Sequence, residues 1–94
     1  MATYLMFGKY SADSIKQVSA ERTNRAAALI QQAGGTLKAG YALLGEHDLV
    51  LIVEFPGTEQ AIKASVGLTR LLGISFTTAP AVSVEAFDKL VGGG

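Results

Sequence analysis

The sequence of 94 residues contains no cysteine and no tryptophan, and its only histidine is His47. The absence of cysteine excludes disulfides and thiolate ligation of metals, and it is typical of a reducing compartment. A single imidazole with scattered carboxylates cannot supply the ligand set of a structural zinc site. We therefore expect neither a metal nor a cofactor in one chain.

An excess of charge of one sign is also missing. Eight basic and eight acidic side chains cancel, and neither sign is concentrated in one segment. This pattern argues against nucleic acid as a partner, because proteins that bind phosphate backbones present a basic surface. The longest aliphatic run, Leu49 to Val53, is too short to cross a bilayer, and residues 1–4 lack the basic start of a signal peptide. We expect a soluble, cytoplasmic protein without a membrane partner.

Apolar residues, in contrast, are abundant. They make up 49% of the chain, and charged residues only 17%, which is below the usual quarter. The length predicts one domain, residues 1–91, followed by three glycines at 92–94 that we expect to be disordered. Because a domain of this size buries a modest fraction of its surface, more apolar surface is predicted than one core can hide.

The periodicity of apolar residues and the turn residues between them predict the order βαββαβ. The strands are predicted at residues 2–8, 36–44, 49–55 and 74–79, the helices at 20–33 and 59–72, and a closing helical turn at 84–91. Ser19 and Thr58 are the predicted N-caps. This order is that of the α+β, ferredoxin-like fold, in which both helices cover one face of a four-stranded antiparallel sheet and strands one and three are central.

Both central strands are apolar on both faces. In the first strand, Leu5 and Phe7 are predicted on the face opposite to Tyr4 and Met6. In the third strand, Leu49, Leu51 and Val53 oppose Val50 and Ile52, and the two helices can cover only one face, which leaves the other face bare. Burying an aliphatic side chain is worth about 1.5–3 kcal/mol, so this face needs a second layer. We expect a second copy of the chain to supply it, which gives a dimeric α+β barrel. The alternatives are a monomer with an apolar patch and a face covered by the C-terminal segment.

Residues 45–48, GEHD, form the connection between the second and third strands. Gly45 and Asp48 are residue types that hairpin connections favour, and Glu46 and His47 are expected at the exposed tip. The other interpretation is a proton-transfer site, because an imidazole between two carboxylates titrates near neutral pH. His47, Asp48 and Tyr41 are therefore the catalytic candidates, and no serine or cysteine nucleophile is paired with them by spacing.

Other polar residues have a structural interpretation. Arg22 and Arg25 are expected on a solvated helix face rather than in an anion clamp. Lys9 and Tyr10 end the first strand, where we expect a cleft between sheet and helix.

Four stretches, ATYLMFGKYS, AERTNRAAALIQQAGG, YALLGEHDLVLIVEFP and LTRLLGISFTTAPAVSVEAF, resemble the GYD domain family in the same order and over nearly the whole chain. This functionally uncharacterised family is named for a Gly-x-Tyr-Asp signature at the hairpin between strands two and three. Here Gly45 and Asp48 match the signature, and His47 stands where tyrosine is common, so an imidazole replaces the phenol. The resemblance implies a fold related to the dimeric α+β barrel superfamily and no particular reaction.

Three classes of function stay open. The first is a homo-oligomeric α+β barrel whose cavity binds a small, largely apolar ligand. The second is an enzyme similar to the cofactor-independent oxygenases and isomerases of the dimeric barrel superfamily, with His47, Asp48 and Tyr41 nearest the chemistry. The third is a structural subunit that assembles with copies of itself. A fold by itself does not choose between these classes.

Overall fold

A computed structural model describes residues 1–92, which form four strands and four helices. In chain order they are β1 (Ala2–Tyr10), α1 (Ala12–Ile15), α2 (Ala20–Gln32), β2 (Thr36–Ala42), β3 (Leu49–Phe55), α3 (Thr58–Leu72), β4 (Ile74–Ala81) and α4 (Val84–Val91). The predicted order βαββαβ is confirmed, and the closing helical turn predicted at 84–91 is present as α4, while α1 is a further short helix after β1. Of the predicted glycine tail at 92–94, Gly92 ends α4, and the last two residues lie outside the described part.

The four strands form one antiparallel sheet in the order β2-β3-β1-β4, so β1 and β3 are central as predicted. β1 extends two residues beyond its predicted end, because Lys9 and Tyr10 still pair with β4. Both edge strands are irregular: β2 has a register shift between Leu37 and Ala39, and β4 runs through Pro80 instead of ending before it. Bulges and proline both hinder pairing of an edge strand with another chain.

Caps and glycines fix the ends of the two long helices. The Ser19 hydroxyl accepts a hydrogen bond from the Arg22 N–H and caps α2, as predicted. The predicted cap at Thr58 is wrong, because Gly57 occupies the N-cap position of α3 without a side-chain bond. Gly73 ends α3 with φ at 68°, a left-handed conformation that glycine adopts without strain.

The core lies between the sheet and the layer formed by α2 and α3. Its largest fully buried side chains are Phe55, Met6, Ile30, Leu68, Ile74 and Val53. Gly35 lies at the start of β2, where a Cβ atom would come within 2.5 Å of the Phe55 ring and 2.8 Å of the Glu54 carbonyl oxygen. The chain therefore enters β2 close to the backbone of β3, and only glycine leaves room for this approach.

Candidate functional site

The sheet face opposite α2 and α3 has no covering element among residues 1–92. The strand register gives its two central rows, which are Ala39, Ile52, Leu5 and Ala79 in one and Tyr41, Val50, Phe7 and Thr77 in the other. These eight residues are named the open face. Its four central side chains are half-buried, whereas Met6 and Val53 on the opposite face are fully buried. As predicted, successive side chains of both central strands point to opposite faces of the sheet, and both faces are apolar.

The C-terminal segment does not cover the open face. It forms α4, which has no buried residue and packs against no other element as a layer. The helix is amphipathic, and its apolar side chains Val84, Phe87, Leu90 and Val91 are 52–75% exposed. The molecule is elongated as a result, with extents of 49 × 30 × 18 Å. Each chain thus presents two uncovered apolar surfaces, the open face and one side of α4.

The connection between β2 and β3 folds over the end of β1. An Asp48 carboxylate oxygen accepts the Tyr10 N–H at 2.9 Å, and the Asp48 N–H donates to the Gly8 carbonyl at 2.9 Å. The Lys9 ammonium donates to the Glu46 carbonyl oxygen at 3.1 Å. Asp48 therefore fixes the connection to β1, since its carboxylate and its backbone both bond to that strand.

His47 does not stand at the exposed tip of the connection, where it was expected. It is half-buried, and the centroid of its ring lies 5.1 Å from that of Phe7 with a tilt of 42° between the planes. Because Phe7 belongs to the open face, the imidazole borders that face. Tyr41 lies in the same row as Phe7 and is 58% exposed. No hydrogen bond in the described part of the chain joins the side chains of His47, Asp48 and Tyr41.

A cavity with a volume of about 340 Å³ lies on the helix side, between α3 and strands β1 and β4. Its lining is mostly apolar and includes Tyr4, Ile62, Val66, Phe76 and Pro80. The hydroxyls of Ser65 and Thr78 share a hydrogen bond of 2.6 Å at its wall. These hydroxyls satisfy each other, so this cavity offers a ligand mainly apolar contact.

Another cavity, of about 80 Å³, lies between α2 and the sheet and includes Tyr10 in its lining. The cleft expected beside Tyr10 is therefore present. Arg22 lines the same cavity and is only 7% exposed, so its predicted place on a solvated helix face is wrong. Its Nη1 donates to the Ser14 carbonyl, and its guanidinium carbon lies 5.4 Å from the centroid of the Tyr10 ring. Helical periodicity could not predict this burial, because the residues that cover Arg22 belong to other elements, Ser14 to α1 and Tyr10 to β1.

Among residues 1–92, no group of three histidine, aspartate or glutamate side chains comes together as a set of metal ligands. No helix in this part is long and apolar enough to cross a membrane.

Comparison with known proteins gives a family and a fold. A family model described as GYD domain matches residues 4–91, and no curated protein sequence matches the chain significantly. The crystal structure of the Mycobacterium tuberculosis leucine response regulatory protein (LrpA) superposes with a TM-score of 0.57 at 8% identity, over 87% of this chain and 51% of that one. A second crystal structure, of a glutamate-to-alanine mutant, gives 0.58 at 10% identity, over 87% and 50%. The chain spans about half the length of both proteins, and at these identities the likeness shows the fold alone.

Proposed function

The chain belongs to the GYD domain family, and we propose that it acts as a homodimeric α+β barrel that binds a small, largely apolar ligand. The observation that carries this proposal is the open face, whose apolar centre has no covering element among residues 1–92. Two copies related by a two-fold axis would cover each other's open face with the same residues. The absence of cysteine supports a cytoplasmic location for this dimer.

The size of the open face argues that α4 takes part in the dimer. Four strands about 4.8 Å apart, with about seven residues each at a rise of about 3.3 Å, give roughly 450 Å² in projection. A stable interface buries about 800 Å² of accessible surface on each partner, so additional apolar surface beside the sheet face would strengthen the dimer. The exposed apolar side of α4 is one surface of this kind. We therefore propose that α4 packs against the partner.

The edges of the sheet favour stacking of faces over growth through edge strands. The register shift in β2 lies in one edge strand, and Pro80 lies in the other. Both features oppose the addition of a further strand. They argue against the alternative of a structural subunit that assembles edge to edge.

The outline of the open face supports an apolar ligand with one polar end. Ala39 and Ala79 occupy the outer strands in the row that contains Leu5, so two stacked sheets would leave room beside the larger central side chains. The Tyr41 hydroxyl and the His47 imidazole border this space and would orient a polar group. The similarity in fold to a protein named for its response to leucine also supports a small-molecule ligand.

The enzyme alternative rests on the same border of the open face. His47 is half-buried beside Phe7, and Tyr41 lies on the same face. Asp48 is bonded to the backbone of Tyr10, so any acid-base chemistry would depend on His47 and Tyr41. A cofactor-independent oxygenase or isomerase activity would support this alternative if it were lost in the His47→Phe variant while the dimer stayed intact.

Two measurements test the proposal. Sedimentation equilibrium over the micromolar range gives the solution mass, for which we expect twice the 9.8 kDa of one chain. Native mass spectrometry of the purified protein, followed by denaturing extraction, identifies any ligand that purifies with it. A monomer at high micromolar concentration would contradict the barrel. A dimer that carries no ligand and takes up none from a panel of small apolar acids and alcohols would contradict the ligand-binding role.

A further inference from the structure

Arg22 is buried at a position where no acidic side chain neutralises it. Its exposure is 7%, and the one ion pair within 4.0 Å among residues 1–92 joins Lys89 and Glu85 on α4. A guanidinium carries five N–H donors, and the only hydrogen bond found for this one runs from Nη1 to the Ser14 carbonyl. A buried cation without a counter-charge is costly, so an anion would stabilise this position.

Arg22 lines the cavity between α2 and the sheet. No fully buried side-chain nitrogen or oxygen in the described part of the chain lacks a hydrogen-bond partner. Nε and Nη2 have no partner, so both keep some accessible surface and are free to bind a ligand at this residue. The Tyr10 ring packs against the guanidinium and limits its rotation. Arg22 also lies in the first turn of α2, where the helix dipole favours negative charge.

The rest of the cavity is apolar and small. Its inner wall consists of Leu37, Leu49, Leu51, Leu72, Ile74 and Phe76. Gly8 allows two of these side chains to lie directly on β1, because a Cβ there would come within 2.9 Å of Phe76 and 3.1 Å of Ile74. The volume of about 80 Å³ corresponds to several water molecules at roughly 10–15 Å³ each, or to a carboxylate of roughly five to seven heavy atoms.

We propose that this cavity is a binding site for a short-chain aliphatic carboxylate, with Arg22 as its anion receptor. The carboxylate accepts hydrogen bonds from Nε and Nη2 in the bidentate geometry that a guanidinium offers, and the alkyl group contacts the leucine side chains of the inner wall. The cavity lies within one chain and on the helix side of the sheet. It is therefore separate from the ligand space proposed between two open faces, and it does not depend on the dimer.

The test is an NMR titration of the full chain with 3-methylbutanoate, which follows the Arg22 Nε–H and the Leu51 methyl resonances. We expect saturable shifts of both. The matched control for the anion is 3-methylbutan-1-ol, which has the same carbon skeleton without the negative charge. The control for the alkyl group is acetate, which keeps the carboxylate but lacks the branched chain. Each control is expected to bind at least tenfold more weakly. Equal binding of the alcohol, or no saturable shift with the carboxylate, would overturn the proposal.

Two variants locate the site. Arg22→Lys keeps the positive charge and removes the bidentate donors, so we expect at least tenfold weaker binding of 3-methylbutanoate. Arg25→Lys is the matched control, because Arg25 is exposed on the same helix, and its affinity is expected to equal that of the wild type. Unchanged affinity in Arg22→Lys would overturn the assignment. Should Arg22→Lys fail to fold, the comparison of acid and alcohol on the wild-type protein decides.

Discussion

Ile52 lies at the centre of the open face, between Leu5 of β1 and Ala39 of β2, and Ile52→Lys is the sharpest test of the dimer. Ile52 is already half-buried in one chain, so stacking would bury roughly 50 Å² more, worth about 1.2 kcal/mol at about 25 cal/mol per Å². A two-fold dimer contains the substitution twice, which doubles this loss to about 2.5 kcal/mol.

The introduced amines add a second penalty to dimer formation. Each lysine must give up water or push the two sheets apart, at a cost of at least about 1 kcal/mol. The total of about 4–5 kcal/mol predicts that the dimer dissociation constant rises on the order of a thousandfold, since 1.4 kcal/mol corresponds to a factor of ten. The folded monomer should lose only about 1 kcal/mol, because the position is half-buried there and lysine is tolerated on an open strand surface.

Sedimentation equilibrium at several concentrations measures the dissociation constant, and thermal unfolding followed by circular dichroism checks the fold. Leu71→Lys is the matched control, because Leu71 is 45% exposed and belongs to α3 on the opposite side of the sheet. We expect this variant to dimerise as the wild type does. A folded Ile52→Lys protein with the wild-type dissociation constant would refute stacking through the open face.

Three further predictions concern other parts of the molecule. Gly35→Ala is expected to lower the free energy of unfolding by about 2–4 kcal/mol, because a Cβ there presses into the Phe55 ring, and urea unfolding would measure this. Asp48→Ala removes the acceptor of the Tyr10 N–H and should cost about 1–2 kcal/mol in the same assay; a loss below the experimental error would refute its role in fixing the connection. Deletion of residues 84–94 should weaken the dimer at least tenfold and leave the melting temperature of the monomer nearly unchanged, since α4 has no buried residue; an unchanged dissociation constant would exclude α4 from the interface.

The topology could be predicted because its signals are local. Short continuous apolar runs mark β1 and β3, Ser19 marks the start of α2, and Gly73 marks the end of α3. The order of these elements then restricts the sheet to few arrangements, of which the ferredoxin-like one was found. The extension of β4 through Pro80 was not predicted, because proline was expected to end the strand. An edge strand tolerates proline where the backbone nitrogen does not have to donate a hydrogen bond to a neighbouring strand.

The surroundings of the site residues could not be predicted in the same way. Arg22 is buried by contacts from α1 and β1, and His47 lies beside the Phe7 ring at the border of the open face. These contacts join residues that are distant in sequence or lie on different elements, and helical or strand periodicity does not report on them. The roles of His47, Asp48 and Tyr41 in catalysis stay predictions, as do the dimer and the single-domain boundary at residue 91.

Tyr10 contacts both the connection beside the open face and the cavity on the helix side. Its N–H is bonded to Asp48, next to the imidazole on the open face, and its ring supports Arg22 on the helix side. If occupancy of the inner cavity strengthens pairing of two chains, thermodynamic linkage requires that pairing strengthen occupancy by the same factor. Through Tyr10, which contacts both Asp48 and Arg22, the concentration of the bound carboxylate would then set how many chains are paired.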